Sequence, residues 1–461
     1  MKKINKFLII LFLLFFVSFL LRFSLTYYTP VKYWDETIYA NLGRNLFLYN
    51  EYSFFHGFAD FSSNWPLAGF RAPLLPFLIS IVSLFSLNPF ILNFIIPIIA
   101  SLGVVGFYLL VKEMFDKKVA IYSALLYSVF PLNVFWGSKL LTDTLLITIV
   151  IFAVYFFYLG FFKNSESYLN YILFGIFSAL AFLSRYSMIW FFVLFFCVLF
   201  VKFKDLSFLK NKDLWVSVFC FLIIVVPWFI FNYISYGSLF GFLIHAQEAS
   251  LRWGSQSFLF YIKSLFSLFF LFIPFFILGV LNRKYRDSRN FMIIWFFIII
   301  ISASLMSHKE VRYILPILPA IVCLSSLGLV RLKKYGEYLF YVLILLFLIF
   351  NFGYLKSSYY SFDSEDHKCF FGAMDFIKDS SADYVVTEHF SPVYFYTLKP
   401  NIRVNNYTFI KGLIETEYFD NEIYYYYETG DWFNLTAETD EINNLVYSCN
   451  KFNVFDISLR S

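Results

Sequence analysis

Asp35 and Glu36 stand side by side at the start of Asp35-Glu36-Thr37-Ile38-Tyr39-Ala40-Asn41-Leu42-Gly43-Arg44-Asn45, where Ile38, Leu42 and Leu46 recur at helical spacing. A carboxylate at a helix N-terminus is favoured by the dipole and the exposed amides, which keep it ionised and oriented. Asp35 therefore reads equally as an N-cap and as a chemical group. Asp143, the only acid between Asp116 and Glu166, opens a second apolar helix, with Lys139 one turn before it. It too reads as a cap or as a site. Arg71, Lys139, Arg185, Arg252, Lys309 and Arg312 lie at loops or helix ends, and His308 and Tyr313 complete a compact His308-Lys309-Glu310-Val311-Arg312-Tyr313 cluster. Any one of these cations is best read as snorkelling to headgroups, and a lone His308 as incidental. Six cations on one side, facing two acidic stretches, point instead to phosphate binding, for which the planar fork of arginine is suited. Fixed carboxylates, cations and an apolar wall together suit transfer from a lipid-phosphate donor. The cations neutralise the departing phosphate, and a carboxylate takes a proton from the acceptor.

Such residues must be held by membrane helices. Of 461 residues, 60% are hydrophobic and 15% charged, with 67 Phe and 35 Tyr. Soluble domains carry about 25% charged residues, so a cytosolic globular enzyme is excluded. Residues 357–461 hold 7 Lys+Arg against 17 Asp+Glu, a balance of −10, whereas 1–356 hold 29 against 14, a balance of +15. Basic charge on a membrane body orients it in the bilayer, and nucleic acid is not an expected partner.

Apolar runs long enough to cross fall near 7–23, 90–111, 119–136, 144–162, 169–184, 187–201, 214–233, 258–280, 291–306, 312–330 and 338–355. Residues 7–23 follow Lys2, Lys3 and Lys6 but precede no small-residue cleavage site, so they read as a retained span. The run 72–87, with Pro73 and Pro76, is short and reads as interfacial or re-entrant. If it does not cross, the alternate loops contain 18 Lys+Arg, and the other stretches of the body share 11. Cytoplasmic loops carry the excess of these residues, so the N-terminus is placed in the cytoplasm and every candidate site residue outside.

The expected architecture is an α-helical multi-pass membrane protein of about eleven transmembrane helices, plus the interfacial or re-entrant helix at 72–87, with a small C-terminal α/β soluble domain. Residues 1–356 form the transmembrane catalytic domain, within which 24–89 is the first outer loop, and 357–461 the extracytoplasmic domain. In the tail, helix-like stretches (366–379, 390–397, 408–418, 431–446) separate β-like runs at Asp383–Glu388, Asn401–Asn405, Glu422–Glu428 and Phe452–Ser458. The tail is expected to be structural or acceptor-facing rather than chemical. Its Cys369 and Cys449 are as apt to be bonded as free, because pairing does not follow from spacing. Two sequons, Asn406-Tyr407-Thr408 and Asn434-Leu435-Thr436, also fall there.

Residues 34–45 resemble the D-E-x-x-Y-A motif of the dolichyl-phosphate-mannose–protein mannosyltransferase and aminoarabinose-transferase-like group of the GT-C superfamily. Arg71-Ala72-Pro73-Leu74-Leu75-Pro76, Ser138 to Asp143, Pro227 to Tyr233 and Arg312 to Pro319 resemble later landmarks of that group in the same order. Together they cover most of 30–320. The resemblance implies a polyprenyl- or dolichyl-phosphate-sugar donor and a protein, lipid or glycan acceptor on the outer face of the cell membrane. It implies Asp35 as the base, Glu36 beside it, Asp143 as the second acid, and Lys139, Arg185 and Arg312 near the lipid phosphate. Metal use varies across the superfamily; if a divalent ion binds, Asp35 and Asp143 are its expected ligands. Ala72 and Lys139 depart from the group's usual residues, which leaves the donor sugar open. A single base with direct attack predicts inversion. A flippase or transporter of lipid-linked saccharide is the alternative outside the enzymes, and a glycan ligase or polymerase the alternative within them. Internal repeats would mark a transporter, and no convincing repeat is present.

Overall fold

The computed structural model describes residues 2–31, 34–54, 71–163, 167–252, 255–387, 390–403, 423–428 and 445–456. Both sequons, the stretch 408–418 and most of 431–446 lie outside the described residues. The chain divides into two compact units, one of Met1–Thr26, Gly69–Leu75 and Phe94–Tyr354, the other of Tyr27–Ala68, Pro76–Asn93 and Leu355–Ser461.

The first unit is helical. Among the described residues, eight helices are long and apolar enough to span a membrane, or nine if Phe260–Phe269 and Ile273–Val280, bent by 102°, count as one. These eight coincide with eight of the eleven expected spans, and the bent pair with the expected span 258–280. The expected span 169–184 is the shorter helix Tyr168–Ser184, and 119–136 is broken into Lys117–Val129 and Pro131–Trp136. Proline explains the break. Pro131 has no N–H to offer the Tyr127 carbonyl four residues back, and the Asn133 amide donates to it instead at 2.8 Å. The neighbouring carbonyls are satisfied from afar, Val129 by Asn351 at 2.8 Å and Ser128 by Arg22 at 3.2 Å. Arg22 is fully buried in the helix Lys2–Tyr27, and a second nitrogen of its guanidinium reaches the Asn133 carbonyl at 3.4 Å. This break fixes the chain that runs through Lys139 into Asp143.

Two other features set the position of Arg312. The helices Ile273–Val280 and Leu318–Arg331 approach so closely that a Cβ at Gly279 would meet the Leu324 carbonyl oxygen at 1.9 Å, and one at Gly328 that of Phe275 at 2.0 Å. Only glycine allows such backbone contact. The 3-10 turn Val311–Ile317 leads into the second of these helices, and buried Trp295 donates to its Pro316 carbonyl at 2.9 Å.

In the second unit, helix Trp34–Tyr49 is followed by the short apolar helix Leu74–Ser83. Ten residues rise only about 15 Å, half of a hydrocarbon core. The C-terminal part contains five strands, β1 Tyr384–Thr387, β2 Asn401–Arg403, β3 Ile423–Glu428, β4 Leu445–Cys449 and β5 Phe452–Asp456, in the order β2-β1-β3-β5-β4. β1 is parallel to β2 and β3, while β5 is antiparallel to β3 and β4. Helix Phe390–Thr397 supplies the crossover that the parallel pair β1–β2 requires. Strand β4 has no counterpart in the sequence reading, which runs a helix through 431–446.

Helix Glu365–Asp379 is amphipathic and buries Phe370, Ala373, Met374 and Ile377 against Val385, Val393, Tyr426, Phe452 and Val454. Its N-terminus is capped by the Ser364 hydroxyl, which accepts from the His367 amide at 3.2 Å, with Glu365 and Asp366 in the first turn. Cys369 of this helix is bonded to Cys449 of β4, closing 80 residues of chain.

Candidate active site

In the first unit, helix Thr142–Phe161 starts with Asp143 in its first turn, and the capping residue Leu141 offers no side-chain hydrogen bond. Asp143 is not the cap. Its carboxylate, 5% exposed, pairs instead with the guanidinium of Arg185, which stands at the end of helix Tyr168–Ser184. The Nε of Arg312 lies 3.9 Å from the other Asp143 oxygen. The pairing explains the burial, since a carboxylate at a helix end inside a membrane body is costly unless matched.

Arg312 is held mainly by Glu310, two residues earlier. Its Nη2 donates to Glu310 Oε1 at 2.8 Å, and its Nε lies 2.8 Å from Oε2. Tyr313 donates its hydroxyl to the same Oε1 at 2.9 Å, and His308 Nε2 lies 3.1 Å from it. Three donors thus converge on one oxygen. Burial would raise the Glu310 carboxyl, but the Arg312 charge and the hydrogen bonds from Arg312, His308 and Tyr313 together hold it below its ordinary value. The face of Tyr313 carries the Arg185 guanidinium 4.3 Å from its centroid.

Asp143, Arg185, Trp190, Ser302, Met306 and Tyr313 help line a cavity of about 30 Å³.

The remaining sequence-derived candidates fall around this cluster in different ways. Lys309 is buried and donates its ammonium to the carbonyls of Gln256, at 3.0 Å, and Met306, while its amide donates to Gln256 Oε1 at 2.6 Å. Lys139 is buried with its ammonium 5.5 Å from the centre of the Phe135 ring. Arg71 accepts, through its backbone carbonyl, a bond of 3.4 Å from the Tyr186 hydroxyl, and Tyr186 in turn accepts from Trp228 Nε1 at 3.0 Å. Arg252 ends helix Gly241–Arg252, and its side chain lies outside the described residues.

Asp35 and Glu36 belong to the second unit, in the first turn of helix Trp34–Tyr49. Asp35 is half-buried and Glu36 buried. One face of this helix is tied to helix Phe390–Thr397. Thr37 Oγ1 and Ser391 Oγ are 2.7 Å apart, and the Asn41 amide donates to the Ser391 carbonyl at 3.1 Å. Arg44 donates to the Phe395 carbonyl and sits 5.1 Å from the centre of that ring. Tyr394 donates to Asn45 Oδ1 at 2.7 Å, and Tyr396 to the Val31 carbonyl at 2.8 Å. Positions 37, 41, 44 and 45 share one helical face, and position 35 lies well away from it. Burial lowers the Arg44 guanidinium to about 10 against the opposing pull of Tyr394, Tyr49 and Tyr396, so it stays charged at neutral pH. Burial, then the charge of Glu36, pushes the Tyr396 phenol up.

Sequence reasoning did not select Glu310 as a site residue, although its place between two cations in Lys309-Glu310-Val311-Arg312 was a usable signal. It gave no hint of the Ser391–Tyr396 contacts, which join residues about 350 positions apart. Among the described residues, no three His, Cys, Asp or Glu side chains converge as a metal site requires.

Comparison with known proteins bears on both units. Residues 70–231 match the family model described as dolichyl-phosphate-mannose-protein mannosyltransferase. No curated protein sequence matches. In fold, the chain is similar to ArnT from Cupriavidus metallidurans bound to undecaprenyl phosphate, with a TM-score of 0.76 and 14% identity, covering 97% of this chain and 98% of that one. It is also similar to the Archaeoglobus fulgidus oligosaccharyltransferase tethered to an acceptor peptide, with a TM-score of 0.61 and 15% identity, covering 91% and 69%. The resemblance to the dolichyl-phosphate-mannose–protein mannosyltransferase and aminoarabinose-transferase-like group is thereby supported by the family model over 70–231 and by the fold.

Proposed function

We propose that this protein transfers a sugar from a polyprenyl-phosphate carrier to an acceptor on the outer face of the membrane, with inversion. The observation that carries this reading is the ion-paired group of buried Asp143 and Arg312 with part-buried Arg185 and Glu310 near the ends of apolar helices, in a chain whose fold is similar to that of an undecaprenyl-phosphate-bound ArnT. Asp35 takes the proton from the acceptor, with Glu36 beside it. Asp143 orients Arg185 and Arg312 toward the phosphate, and Tyr313, Lys309, His308, Lys139, Arg71 and Arg252 complete its electrostatic surroundings. Attack by one activated acceptor gives a single displacement: the bond from anomeric carbon to phosphate oxygen breaks as the bond to the acceptor forms. The leaving phosphate carries its charge away among cations and needs no strong acid. The bonded pair Cys369–Cys449 supports an oxidising, extracytoplasmic surrounding for the tail.

The test is mass spectrometry of polyprenyl lipids and surface glycans from cells lacking the gene, complemented with wild type, Asp35→Asn or Asp143→Asn. The deletion should accumulate a phospho-sugar lipid and lose one glycan. Each variant should fail to restore that glycan, because a positioned base contributes about 10²–10⁴-fold to rate. Full restoration by well-expressed Asp35→Asn removes Asp35 from the base role.

A further inference from the structure

Two of the cations expected to bind phosphate, Arg185 and Arg312, already have carboxylate partners. Arg185 is paired with Asp143, and Arg312 with Glu310. A phosphate that takes the hydrogen-bond donors of these two arginines therefore displaces a group of the protein's own, and the two acids differ in how readily they can leave. Asp143 is 5% exposed in the first turn of a helix, whereas Glu310 is 34% exposed in the link between helix Arg286–Leu305 and the turn Val311–Ile317. The backbone of Glu310 is pinned. Its carbonyl accepts from the Tyr261 hydroxyl at 3.0 Å and from the Tyr313 amide at 3.0 Å. Only the side chain has to swing. The oxygen it withdraws, Oε1, is the one on which Arg312, Tyr313 and His308 converge at 2.8, 2.9 and 3.1 Å. Such a set of donors around one oxyanion is what a phosphate oxygen seeks.

Resting on the lipid-phosphate reading above, we infer that the Glu310 carboxylate is an internal stand-in for the donor's phosphate: it holds Arg312, Tyr313 and His308 in the empty enzyme and is displaced from them when the phosphate binds. Two consequences follow from competition for the same donors. Glu310 weakens phosphate binding, and it promotes departure of the spent carrier by returning to its place. It acts through Arg312 and is a positioning residue.

The experiment measures binding of undecaprenyl phosphate, and separately of inorganic phosphate, to the purified full chain in detergent. Glu310→Gln removes the competing charge and should tighten both by about 10-fold, the effect of one charge-assisted hydrogen bond. Arg312→Gln should weaken both by at least about 10-fold. In a carrier-release assay, Glu310→Gln should slow dissociation of the lipid phosphate, an effect a merely structural role would not produce. Weaker or unchanged binding by folded Glu310→Gln, while Arg312→Gln still weakens it, overturns the displacement alone. No effect from Arg312→Gln overturns the placement of phosphate at these cations as well. A gain confined to inorganic phosphate overturns the lipid as the displacing group. Should Glu310→Gln fail to fold, Glu310→Asp, which draws the charge back from Tyr313 and His308, should tighten lipid-phosphate binding by about 3-fold, and no gain overturns the inference.

Discussion

Separating helix Trp34–Tyr49 from helix Phe390–Thr397 should be measurable before any substrate is known. Tyr394→Phe removes the hydroxyl that donates to Asn45 Oδ1 at 2.7 Å and leaves that oxygen, on a fully buried residue, without this donor. An unsatisfied buried acceptor costs about 1–3 kcal/mol. Ser391→Ala removes the hydroxyl 2.7 Å from Thr37, a contact contributing about 1 kcal/mol. Asn41 still reaches the Ser391 carbonyl, so the contact is loosened without being abolished. The double variant should therefore lose about 2–4 kcal/mol of local docking free energy, with some departure from additivity because both side chains lie on one short helix. Even the lower figure corresponds to about 30-fold faster opening-limited amide exchange. Hydrogen–deuterium exchange read by mass spectrometry should show this acceleration in peptides from 34–49, with those from Thr142–Phe161 as the internal reference. Transfer should fall in parallel, because Asp35 is carried by the loosened helix. Unchanged exchange in 34–49, or equal acceleration in both helices, would refute the docking described here.

Two further outcomes are expected. Cys369 and Cys449 should resist alkylation until reduced; reduction should lower stability by up to about 4.5 kcal/mol, from the entropy of an 80-residue closed loop, and immediate labelling of either thiol without reductant would contradict the bond. Gly43→Ala would place a Cβ 2.5 Å from that of Ile79 and 2.7 Å from the Pro76 carbonyl oxygen, so about 1–3 kcal/mol of overpacking should lower the thermal midpoint in detergent; an unaltered midpoint would show that the two helices are not in such contact.

The class of protein was legible because its signals are local. Runs of apolar residues, the charge asymmetry and the acid that opens each of two helices are read one segment at a time. Asp143, Arg185 and Arg312 were each visible as charges out of place, yet their mutual pairing was not, because 42 positions separate Asp143 from Arg185 and helix packing alone brings them together. The sequence reading set six cations facing two acidic stretches. Burial demands that such charges be compensated, and the compensating Glu310 comes from the same short cluster. The span 119–136 read as continuous by hydropathy, since Pro131 is a single residue in an apolar run. Its effect is geometric, and the groups that repair it, Arg22 and Asn351, lie far away in the chain. Strand β4 was missed for a similar reason, since β5 and helix Glu365–Asp379 decide its conformation more than its own periodicity does.

Arg22 makes the opening helix irreplaceable as a part. Hydropathy alone would treat residues 2–27 as an interchangeable anchor, suited to exchange for a signal sequence or a fusion partner's membrane segment. A generic leucine-rich substitute would still insert, but it would bring no guanidinium to the Ser128 and Asn133 carbonyls exposed where Pro131 interrupts the chain. Chimeras built at that boundary should reach the membrane and yet lose the course of the chain that runs through Lys139 into Asp143.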